Sequence, residues 1–139
     1  MITEEKSPEM IGRAEKLLLI CSRNNLNEGL LREASELMRN GVDWEFFMSS
    51  VIRSGQTFAV CNSLNKIKAP APVPKYFTNK LKFSHLYTMS KIIPQYNEIK
   101  NILKLFYEKD IAAVPLKGPI LARRLYGDVA ARGMSADID

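Results

Sequence analysis

The sequence predicts an α+β fold that is mainly helical. A helical region over residues 1–109 is followed, over residues 110–139, by the opening strand, helix and strand of a sheet. Three observations carry that reading. Apolar residues recur at three- and four-residue steps through about the first hundred positions, the period of helices with one buried face. Capping and turn residues break that pattern at the lengths ordinary helices reach. After Asp110 the period changes to a short unbroken apolar run, then a glycine turn, then helical spacing again.

The elements follow in order. Residues 1–6 are acidic and expected to be disordered, without the positive start and apolar core of a secretory signal. Ser7-Pro8 opens a helix, with serine as N-cap and proline at the first helical position. That helix runs to about Arg23 and buries Met10 or Ile11, Ala14, Leu17, Leu18 and Cys21, before Asn24-Asn25 ends it. A second helix, from about Asn27, buries Leu30, Leu31, Ala34, Leu37 and Met38, and Asn40-Gly41 closes it with a left-handed residue. Asp43 caps a third, which carries Trp44, Phe47, Met48, Val51 and Ile52 to a stop at Ser54-Gly55. A fourth holds Phe58, Cys61, Leu64 and Ile67.

Residues 68–74 contain three prolines, each of which pushes its predecessor out of helical conformation, so this stretch is an extended connector. From Lys75 to about Lys109 the helical pattern returns, with Phe77, Leu81, His85 or Leu86, Met89, Ile92, Ile93, Ile99, Ile102, Leu103, Phe106 and Tyr107 on its apolar side. Pro94 should kink or divide it. Residues 111–116 read as a buried strand, Lys117-Gly118-Pro119 as a turn, Ile120 to Tyr126 as a helix and Met134 to Asp139 as a second strand.

Composition narrows the function. At 46% hydrophobic and 25% charged the chain is globular, and its net charge of +5 favours anionic partners weakly, because the basic residues are spread out. Cys21 and Cys61 have neither a metal-binding spacing nor a nearby histidine, so they read as small buried hydrophobes in a reducing compartment. A single histidine, His85, excludes a His-rich zinc site. The longest apolar run, Leu17 to Cys21, is too short to span a bilayer, and a cytoplasmic protein without a membrane segment is expected.

The chemistry concentrates at the C-terminal end. Glycine between a strand and a helix lets backbone N–H groups and the positive end of the helix dipole approach a phosphate, and Lys117 adds a point charge beside Gly118. Asp137 and Asp139, two apart on a strand, share a face and can hold Mg²⁺ together with substrate phosphates. That combination points to phosphoryl or nucleotidyl transfer.

Residues 111–139 resemble the uncharacterised nucleotidyltransferase family of the DNA polymerase beta-like superfamily. The resemblance rests on Lys117-Gly118, Leu125-Tyr126, Arg132, Met134 and Asp137-Ile138-Asp139, with weaker support from Asp43-Trp44, Leu64 and the proline connector. It implies that Asp137 and Asp139 are catalytic metal ligands for Mg²⁺ or Mn²⁺. It further implies that Lys117 and Gly118 bind the triphosphate of a nucleoside triphosphate, and that Arg132 contacts phosphate or anchors its loop. The acceptor stays open. Pro119 departs from the superfamily, which has glycine or serine there, and removes an N–H donor. The superfamily's third carboxylate comes from a later strand, so the chain is expected to be an N-terminal fragment, inactive alone and prone to self-association through Val114, Leu116 and Ile138. The alternative is a non-catalytic helical interaction module with a remnant nucleotidyltransferase motif.

Overall fold

A computed structural model describes residues 7–67 and 73–132 of the chain. Among these residues the regular structure is six α-helices: α1 Pro8–Cys21, α2 Glu28–Arg39, α3 Trp44–Arg53, α4 Thr57–Lys66, α5 Lys75–Glu108 and α6 Gly118–Tyr126. The chain divides into two compact units, residues 1–82 and residues 83–139.

In the first unit the helix ends are set by local chemistry. Pro8 stands in the first turn of α1, where a missing N–H does no harm. The Asn27 side chain accepts the N–H of Leu30 at 2.9 Å, and one Asp43 oxygen accepts the N–H groups of Glu45 and Phe46 at 3.1 and 3.0 Å. Each N-cap satisfies donors that the first turn leaves unpaired. Gly41 and Gly55, at φ +87° and +67°, take the left-handed conformation that turns the chain out of α2 and α3.

α1 is the hub of this unit and packs against α2, α3 and α4. Its Ala14, Leu17, Ile20 and Cys21 are buried together with Ala34, Met38, Phe47, Met48, Val51 and Val60 from the next three helices. The opening turns of α5 complete the core. Phe77 stacks on Phe47 with ring centroids 5.4 Å apart, and Trp44 meets Phe47 at 5.7 Å and Phe77 at 5.0 Å. Arg13 donates from Nε to the Gly41 carbonyl at 2.6 Å, and the buried Ser63 hydroxyl donates to the Cys21 carbonyl at 2.8 Å, tying distant parts of the chain together.

Among the described residues the second unit contains the remainder of α5, a linking segment, α6 and the turn that follows it. α5 runs through Pro94 unbroken for 34 residues, so the expected division does not occur. Its length is about 51 Å at the standard rise.

The expected strand–helix–strand unit is not formed among the described residues. Among the described residues there is no strand, and residues 111–116 are irregular. A strand needs a neighbour for its rows of N–H and C=O groups, and no described segment supplies one. The run therefore lies in water, with Val114 80% and Leu116 73% exposed. The second expected strand, Met134 to Asp139, lies outside the described residues, as do residues 1–6 and 68–72. The fold is thus helical over the described residues, with a single helix, α6, where the α/β unit was expected.

Candidate functional site

The approach to the site begins where α5 stops. Asp110 adopts φ +55°, and the Ile111 N–H reaches back to the Phe106 carbonyl at 2.9 Å while the Asp110 N–H reaches the Tyr107 carbonyl at 3.1 Å. This pair of bonds is the common left-handed helix stop, here made with aspartate, one of the few side chains that tolerate that conformation. It releases the chain into the exposed segment 111–116.

Lys117 follows in extended conformation, at φ −143° and ψ −171°, as the N-cap of α6. Gly118 is the next residue and has φ +79°. A Cβ there would lie 4.0 Å from the Ile99 side chain, an ordinary contact, so the backbone angle and not crowding calls for glycine. Pro119, buried, occupies the first turn and contributes no N–H. Gly118 and Ile120 keep theirs, at the end of α6 where the helix dipole is positive. Gly127, at φ +79°, closes α6 with its N–H on the Arg123 carbonyl at 2.9 Å. Beyond it the Asp128 side chain accepts the Ala130 N–H at 2.7 Å, shaping the turn that leads to the exposed Arg132.

The structure therefore joins Lys117 and Gly118 at the start of one helix and places Arg132 after its end. Asp137 and Asp139 lie outside the described residues. Among the described residues no group of three or more His, Cys, Asp or Glu side chains could hold a metal ion. No helix among them is long and apolar enough to cross a membrane.

A cluster that the sequence reading did not single out sits beside α6. Arg123 donates from Nη1 to the Tyr96 hydroxyl at 3.1 Å, with its guanidinium carbon 5.6 Å from the ring centroid, and the Lys100 ammonium is also 5.6 Å from that centroid. The Tyr96–Lys100 half was visible as a four-residue helical spacing. The Arg123 half exists only once α6 lies against α5.

The two cysteines offer no nucleophile. Burial pushes the Cys21 thiol up to about 12, and it also raises Cys61, with the Lys82 charge acting in the opposite sense. A thiol is reactive as thiolate, and both sites disfavour that form.

A family model described as "Uncharacterised nucleotidyltransferase" matches residues 40–139. The matched stretch takes in Lys117, Gly118, Arg132, Asp137 and Asp139. No curated protein and no solved structure matches the chain.

Proposed function

This chain belongs to the uncharacterised nucleotidyltransferase family, and from that premise we propose that its chemistry is metal-dependent transfer of a nucleoside monophosphate from a nucleoside triphosphate to an acceptor hydroxyl. The observation that supports the reading is Gly118 at φ +79° at the start of α6, directly after Lys117. That turn allows backbone N–H groups to approach a phosphate more closely than a side chain at this position would permit.

Asp137 and Asp139 are the residues that would hold Mg²⁺ or Mn²⁺, because two carboxylates suit a hard cation that completes its shell with water and phosphate oxygens. A cation there supplies neutralisation of the phosphate charge and a lowered pKa for the attacking hydroxyl. The rest falls to the chain itself. The N–H groups of Gly118 and Ile120 and the Lys117 ammonium hold the triphosphate tail. Arg132 adds a guanidinium that pairs with phosphate oxygens in a fixed fork. The missing N–H at Pro119 leaves the turn with fewer donors than glycine or serine would give, which places more of the phosphate charge on Lys117 and Arg132.

The test is incorporation of α-labelled nucleotide by the protein in the presence of Mg²⁺. Asp137→Asn is expected to abolish incorporation while leaving the circular dichroism spectrum unchanged, and a variant with wild-type turnover would overturn the assignment.

A further inference from the structure

The cluster around Tyr96 continues along α5. Lys100, Lys104 and Tyr107 follow Tyr96 at four, eight and eleven residues, which places all four within about 80° of one another around the helix axis. Lys100 and Lys104 are exposed, and Tyr107 is 83% exposed. The ion pairs formed among the described residues leave Lys100 and Arg123 out and include Lys104 only through Glu108 at 3.9 Å. One side of the second unit thus carries Arg123, Lys100 and Lys104 interleaved with two tyrosine rings.

We propose that this face, formed by Tyr96, Lys100, Lys104 and Tyr107 of α5 with Arg123 of α6, binds single-stranded nucleic acid. Three features select that partner. The cations are complementary to a polyanion, in a chain whose net charge is +5. Tyr96 and Tyr107 lie about 16 Å apart along the helix, farther than one phosphate group can reach, so an extended strand engages both ends together. Rings beside cations, here the exposed Tyr107 and the half-buried Tyr96, are the elements with which proteins hold unpaired bases and their backbone, and a duplex keeps its bases out of reach of such rings. Arg123 and Lys100 already converge on Tyr96 and serve as the phosphate anchor. Tyr107, standing in water, offers a free face on which a base can stack. The proposal goes beyond nucleotidyl transfer and needs neither the metal nor the triphosphate.

The experiment is fluorescence anisotropy of a labelled single-stranded oligouridylate titrated with the chain of residues 1–139, in chelator and without triphosphate. Saturable binding is expected, with a logarithmic salt slope that becomes shallower by about 0.7 for each phosphate contact removed. The Lys100→Ala/Arg123→Ala double variant should lose most of the affinity and flatten that slope. Tyr107→Ala should weaken binding at least about fivefold, and Tyr107→Phe, which keeps the ring, should restore it. Lys91→Ala removes the same charge from the opposite side of α5 and should change little. Absence of binding at low salt, equal losses from Lys91→Ala and Lys100→Ala, equal affinity for a duplex, or full competition by a free triphosphate would each overturn the proposal. Because no transfer is measured, its failure is distinct from failure of the Asp137 assignment.

Discussion

Residues 1–82 and residues 83–139 are both helical, yet they bury their apolar side chains to very different extents. In the first unit the buried residues from Ala14 to Leu81 form one cluster, with Leu17, Phe47, Val51 and Phe77 at 0% exposure. In the second, Ile92, Ile99, Pro119, Ala122 and Ala130 are buried, while Phe83, Leu86, Leu105, Tyr107, Val114, Leu116 and Leu125 stand more than half exposed. The first unit is made of successive short helices that fold back on one another, so each apolar face finds the next within a few turns of chain. Among its described residues the second has one long helix and one short one, which together cannot cover both of their apolar sides. Helical content alone therefore says little about how finished a core is.

Substitutions can break that comparison. The largest effect is expected for Phe77→Ala, which empties a site lined by Trp44 and Phe47 and should destabilise the first unit by about 3–5 kcal/mol in urea melts. Ile92→Ala in the second unit should cost less, about 2 kcal/mol, because it removes a smaller buried side chain, one outside the large core cluster of the first unit. An Ile92→Ala loss equal to that of Phe77→Ala would show the second unit to be as tightly packed as the first. Next in size is Asp43→Ala, which removes the cap of α3 and should cost about 1 kcal/mol, most of it recovered in Asp43→Asn.

The smallest effect at neutral pH is that of the buried thiol. Cys21 is raised from 9.0 to about 12 by burial, so the folded protein holds its proton where the unfolded chain has lost it. Stability is then fully present below pH 9 and falls as the pH climbs from 9 toward 12, since the folded state binds the extra proton. Cys21→Ala should flatten that alkaline decline in thermal melts, and an unchanged decline would place its origin elsewhere.

The helices of the chain were legible because apolar spacing and capping chemistry agree locally. Asn27, Asp43, Gly41 and Gly55 mark the ends where the structure has them. The burial around α4 was legible only in part. Of the residues expected on its apolar side Ile67 is buried and Cys61 and Leu64 pack half-buried against the core, but the deeply buried residues within the helix are Val60 and Ser63, the latter with its hydroxyl on the Cys21 carbonyl of another helix. A partner so remote in sequence leaves no local sign. The expected strand at residues 111–116 failed for a related reason: an apolar run specifies a strand only if a second segment pairs with it. At the candidate site the Lys117-Gly118 turn was readable from a glycine at a change of period, and the structure gives it the positive φ that glycine accommodates. The Arg123–Tyr96 contact depends on α6 meeting α5, a tertiary event that spacing along either helix does not encode.

Trp44 is the chain's single tryptophan, and it sits among Phe47 and Phe77. Of the five tyrosines, Tyr87, Tyr96, Tyr107 and Tyr126 belong to residues 83–139. The chain thus carries two intrinsic optical labels, an indole whose emission reports the state of the aromatic core in residues 1–82 and a set of phenols that reports mainly on the other unit. Long-wavelength excitation follows the indole alone and the shorter-wavelength emission follows the phenols, without any attached dye, and quenching of the phenol signal alone would mark a ligand arriving at α5.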